Sequence, residues 1–75
     1  MADKYTQIFV KVFGLEEGED PSNLEYQSIK QWDSVGHMAL IANIESEFEV
    51  QLEVDDVIDF SSFQEGKKIL KKYGV

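Results

Sequence analysis

The sequence predicts an all-α protein: a four-helix bundle of three main helices plus one short helix, with a long loop between the first two. Three observations carry that expectation. Apolar residues recur at helical spacing near both ends of the chain, and no stretch sustains the apolar–polar alternation of a strand. Capping residues stand where the periodic runs begin and end. With 75 residues, 43% of them hydrophobic, the chain makes one domain (1–75) and is too apolar and periodic for disorder.

Each element follows in order. Tyr5, Ile8, Phe9, Val12 and Phe13 fall on one helical stripe, with Asp3 placed to cap its start and Gly14 to close it in a left-handed turn. Leu15 to Asp33 has no period and contains Gly18, Pro21, Ser22 and Asn23. So long a connection is expected to wrap the bundle or to serve function, pinned by Leu24, Tyr26, Ile29 and Trp32. The tripeptide Asp33-Ser34-Val35 opens what reads as the most amphipathic stretch, a helix from Ser34 to about Glu49 with Asp33 as N-cap. After a connection over Gln51–Val54, Asp55–Asp59 predicts a helical turn or two, capped by Asp55, with Val57, Ile58 and Phe60 supplying apolar contacts. Ser62 then caps a last helix to Tyr73. Phe63, Ile69, Leu70 and Tyr73 face inward there, and Gly74 marks the stop.

Charge narrows the function classes. The net charge of −8, with no Arg at all, argues against nucleic acid, whose phosphates demand basic residues. From Asp33 to Glu65 there are nine carboxylates and no Lys, while four of the seven lysines (Lys67, Lys68, Lys71, Lys72) sit near the C-terminus. Such a layout favours rapid, salt-sensitive encounters with basic protein surfaces. The chain has no Cys and one His, so disulfides and a metal site are not expected. Neither Glu16-Glu17-Gly18-Glu19-Asp20 nor Asp55-Asp56-Val57-Ile58-Asp59 fits a calcium loop. No apolar run is long enough for a bilayer and Met1-Ala2-Asp3-Lys4 lacks a secretory pattern. The expectation is a cytoplasmic monomer without membrane insertion.

The second helix carries two apolar faces. His37, Leu40, Ile41, Ile44 and Phe48 form the core side, whereas Val35, Met38, Ala39 and Ala42 lie opposite, flanked by Glu45 and Glu49. That second strip is expected to be a docking surface unless the preceding loop folds over it. Ser34 admits three readings. Without context it is a plain capping serine. As a hydrolytic nucleophile paired with His37 it lacks the strand and glycine pattern of a nucleophile elbow. As an attachment point for a phosphate-linked group it is well placed, exposed at a helix start whose free N–H groups and dipole favour a phosphodiester. Gly36, two residues on, is expected to leave room for a modifying enzyme.

The stretch Trp32-Asp33-Ser34-Val35-Gly36-His37-Met38, then Leu40-Ile41-Ala42 and Glu45-Ser46-Glu47-Phe48, resembles the acyl carrier protein family. The resemblance covers essentially the whole chain. It implies that Ser34 bears 4′-phosphopantetheine, placed by a phosphopantetheinyl transferase that uses coenzyme A. The thiol of that arm would hold acyl groups as thioesters for fatty-acid, polyketide or related specialised biosynthesis. It also implies that Asp33 assists the transferase, that Val35, Met38, Ala39, Ala42 and Glu45 meet partners, and that Asp55 and Asp56 do so near the third helix. The partners would be basic-patched acyl-transferring, synthase or ligase enzymes, and the chain itself no enzyme. Departures from the family's common pattern are Val35 in place of leucine, Ser28-Ile29-Lys30-Gln31-Trp32 in place of Asp-Leu-Gly, and Ala39 and Ser46 where acids are frequent. The Trp-Asp-Ser form is similar to free-standing carriers of specialised or cell-envelope pathways. An unmodified acidic helical interaction module is the alternative from another functional class.

Overall fold

The computed structural model describes residues 3–16 and 18–75. Met1, Ala2 and Glu17, on which part of the secretory and calcium-loop readings fell, lie outside the described residues. Among the described residues there are four α-helices: α1 (Lys4–Phe13), α2 (Ser34–Phe48), α3 (Val54–Asp59) and α4 (Phe63–Lys72). A 3₁₀ turn, Pro21–Asn23, interrupts the first loop. The all-α bundle of three main helices and one short one is therefore what the sequence predicts.

Helix boundaries follow from capping chemistry. Asp3 accepts the Thr6 N–H through its side chain, and Gly14 ends α1 at φ +62°, a left-handed conformation that costs a glycine little. Ser62 accepts the Glu65 N–H at 3.0 Å to start α4. The third helix departs from expectation. It begins at Val54 after Glu53, which makes no side-chain cap, so Asp55 sits in the first turn rather than before it. Nor is α2 the most one-sided helix: α1 and α4 are more so, because α2 is apolar on two opposite faces.

An aromatic core binds the elements. Phe9 is its hub, with ring centroids 5.0 Å from Tyr5, 5.7 Å from Phe13, 5.5 Å from Trp32 and 4.9 Å from Phe63. Edge-to-face pairs at such spacing stabilise beyond area burial alone. Leu40, Ile41 and Ile44 from α2, Phe60 from the α3–α4 connection and Ile69 and Leu70 from α4 complete the core. Gly66 is required here, because a Cβ would lie 2.2 Å from both Phe60 and the Tyr5 hydroxyl. That hydroxyl donates to the Phe63 carbonyl at 2.7 Å, so the buried phenol is satisfied, and burial pushes its pKa up.

The first loop wraps the bundle as expected. Trp32 is fully buried and inserts its indole beside Phe9 and Phe13. Two backbone bonds, Tyr26 N–H to Ser61 carbonyl (2.8 Å) and Phe63 N–H to Leu24 carbonyl (2.9 Å), stitch the loop to the α3–α4 connection. Gln64 adds a side-chain bond to the Ser22 carbonyl. Leu24 and Ile29 pack against the core, whereas Tyr26 stays 37% exposed. Among the described residues no helix is long and apolar enough to cross a membrane.

Candidate functional site

Ser34 is the first residue of α2. Asp33 holds extended backbone before it and closes the helix start twice: its carboxylate accepts the Gly36 N–H at 2.8 Å, its carbonyl the His37 N–H at 2.7 Å. The N–H groups of Ser34 and Val35 have no intrahelical acceptor and lie at the positive end of the helix dipole. The Ser34 side chain is exposed, and its hydroxyl pairs with the Tyr26 phenol at 3.2 Å.

Gly36 does something other than leave room. A Cβ at this position would lie 1.9 Å from the Gln31 carbonyl oxygen, so the loop backbone runs directly against the first turn of α2. Glycine is there to admit the loop. The space it frees is already filled by this chain.

His37 is committed to structure. The Trp32 indole can only donate, and it donates to His37 Nδ1 at 3.0 Å. Nε2 therefore carries the proton and donates to the Val57 carbonyl at 2.9 Å. One ring thus ties the loop, α2 and α3 together. With both nitrogens engaged, His37 has no free lone pair to serve Ser34 as a base.

The apolar strip on α2 is uncovered by the loop. Val35 is 80% and Met38 59% exposed, and Ala39 and Ala42 are exposed beside them. Sequence reasoning missed its continuation to Ile58, which lines one groove with Met38. Val54 (74%) and Ile58 (71%) stand in solvent, and of the three residues expected to supply apolar contacts Val57 and Phe60 meet the core while Ile58 does not. A six-residue helix is under two turns, and four apolar residues around it do not select a phase from sequence alone. Asp56, Val57 and Phe60 took the inner side. Between α2 and α3 the surface forms a groove of about 390 Å³, lined by Tyr26, Ser34, His37, Met38, Val57, Ile58, Phe60 and Ser61. Ser34 thus lies on the groove's wall.

The acids divide into two groups. Asp33, Glu49, Glu53, Asp55 and Asp59 are exposed around the strip. Asp56 corrects the expectation that it meets partners: only 8% exposed, it accepts Lys72 Nζ at 2.6 Å and the Tyr73 hydroxyl. These bonds, Lys72 first, hold its carboxyl below the ordinary 3.8, and the same bonds raise the pKa values of Lys72 and Tyr73. Tyr73 also accepts the Glu53 N–H at 3.1 Å, so the cluster fastens α3 to the end of α4. Glu45 is half-buried, and its carboxylate accepts the Leu52 N–H at 2.8 Å, ordering the α2–α3 connection. Among the described residues no cluster of three or more His, Asp or Glu side chains could hold a metal ion.

Comparison with known protein families, curated proteins and solved structures yields no match to this chain.

Proposed function

We propose that this protein is a carrier that bears 4′-phosphopantetheine on Ser34 and conveys acyl groups as thioesters between partner enzymes, in fatty-acid, polyketide or related specialised biosynthesis. The observation that carries the reading is one hydroxyl in solvent, at the first residue of a helix, adjoining an uncovered apolar strip. A plain capping serine would not explain the setting, because Asp33 already performs the cap.

The residues present fit such a group. The N–H groups of Ser34 and Val35, which have no intrahelical acceptor, favour a phosphodiester oxygen. The nearest carboxylate, on Asp33, points an oxygen at the Gly36 N–H. When bound, the arm would supply a thiol whose thioester keeps an acyl carbon reactive while tethered at high local concentration.

The chain's own residues do the rest. Val35, Met38, Ala39 and Ala42, with Ile58 of α3, offer an apolar contact centre, and Met38 adapts to more than one partner. Glu49, Glu53, Asp55 and Asp59 form a rim that attracts Lys and Arg patches and releases them readily, as a shuttle requires. The Trp32–His37–Val57 bonds keep α2 and α3 in fixed relation beneath that surface.

Incubation of purified protein with a phosphopantetheinyl transferase and coenzyme A tests this. A mass gain that disappears in Ser34→Ala supports the carrier. No gain with several transferases favours the unmodified interaction module.

A further inference from the structure

Tyr26 is placed with more care than a loop aromatic needs for packing. Its backbone N–H is bonded to the Ser61 carbonyl at 2.8 Å. The next residue, Gln27, takes a left-handed φ of +67° and donates its N–H to the Trp32 carbonyl at 2.9 Å. A non-glycine residue pays for that conformation in strain, so surrounding bonds must hold it. The Tyr26 ring meets the His37 ring edge-on, with centroids 5.4 Å apart at 72°, and His37 is itself fixed by Trp32 and Val57. Despite these restraints Tyr26 is 37% exposed, and its hydroxyl is directed at Ser34 Oγ, 3.2 Å away.

We infer that Tyr26 is a positioning residue for the Ser34 hydroxyl, holding its oxygen in the orientation from which the phosphopantetheine group is received. The inference rests on the carrier reading. Either hydroxyl can donate across this 3.2 Å contact. A phenol is the more acidic of the two, so Tyr26 is assigned as the donor into one lone pair of Ser34 Oγ, which leaves the serine proton and the other lone pair uncommitted. During transfer the Ser34 oxygen bonds to a phosphorus of coenzyme A while the bond from that phosphorus to the bridging diphosphate oxygen breaks. The departing phosphate keeps the electron pair, and a base on the transferase takes the serine proton. Tyr26 keeps its own proton throughout, so it orients the nucleophile without taking part in bond exchange. On an unrestrained serine the hydroxyl would sample three staggered rotamers, and holding one of them lowers the entropy lost on reaching the reactive geometry.

The test is Tyr26→Phe, which keeps the ring against His37 and removes the hydroxyl alone. Steady-state transfer from coenzyme A is measured with the apo-protein as varied substrate, alongside the melting temperature. The expected result is a kcat about three- to tenfold lower, the size set by one neutral hydrogen bond, with KM for the carrier and melting temperature unchanged. An unaltered kcat overturns the inference, as does a change in KM alone, which would make Tyr26 a docking contact. A fall in kcat matched by lost stability overturns it too, because packing would then explain the effect. Wild-type protein that gains no mass overturns the carrier reading itself, and this inference with it. A wild type that loads normally beside an equally fast Tyr26→Phe overturns the positioning role only.

Discussion

Replacing Gly36 by alanine sets helix propensity against packing, and the structure says which wins. In an open helix the change stabilises by about 1 kcal/mol. Here the new Cβ would stand 1.9 Å from the Gln31 carbonyl oxygen, where ordinary contact begins at 3.4 Å. The obstacle is backbone, so no side-chain rotation relieves it. The loop must retreat, and that segment carries buried Trp32 and the Gln27–Trp32 backbone bond. Overpacking of this kind costs about 1–3 kcal/mol, and disturbing the adjacent Asp33 cap costs about 1 kcal/mol more. The net is a loss of roughly 1–3 kcal/mol once the propensity gain is subtracted. At about 4–8 °C per kcal/mol for a domain of this size, the melting temperature should fall by about 4–24 °C. Thermal unfolding followed by far-UV circular dichroism reads this directly. A Gly36→Ala protein that melts at or above the wild-type temperature would refute the close approach of loop and helix.

Two further outcomes follow from the charges. Asp56 titrates below its ordinary 3.8 in the folded state. Its contribution is therefore present above about pH 4 and is lost as pH falls through the depressed value. Asp56→Asn should melt below wild type at neutral pH, with the gap closing under acid; a gap that stays constant from about pH 7 to about pH 2.5 would exclude the linkage. Among the described residues only Asp56 and Glu65 have a lysine within ion-pair distance, leaving the other acids of α2 and α3 uncompensated. The molecule measures 29 × 27 × 18 Å, so at about 0.01 M salt, where screening extends about 30 Å, these charges all repel one another. Raising salt to about 0.15 M, or adding divalent cations, should lift the melting temperature by several degrees. An unchanged melting curve would contradict this.

What the sequence made legible was local. α1, α2 and α4 announced themselves because apolar periodicity and a side-chain cap coincide at Asp3, Asp33 and Ser62. The two-faced character of α2 was readable for the same reason, and with it the strip beside Ser34. Long-range pairing was not readable. Asp56 meets Lys72 and Tyr73 at separations of 16 and 17 residues, and nothing in its neighbourhood distinguishes it from exposed Asp55. Gly36 looked like clearance because the chain that fills the gap arrives from a loop without period. The Tyr26–Ser34 pairing depends on the left-handed turn at Gln27, which a glutamine does not advertise. α3 was too short for its phase to be set by pattern, so Ile58 and Val54 were resolved only by the packed structure.

The protein as its own cells make it offers the most direct test. Intact mass of material purified from its source, followed by fragmentation of the peptide spanning Ser34, should reveal phosphopantetheine on that serine, with acyl cargo on part of the population. A native protein that carries no added mass, and whose Ser34 peptide is wholly unmodified, would contradict the account.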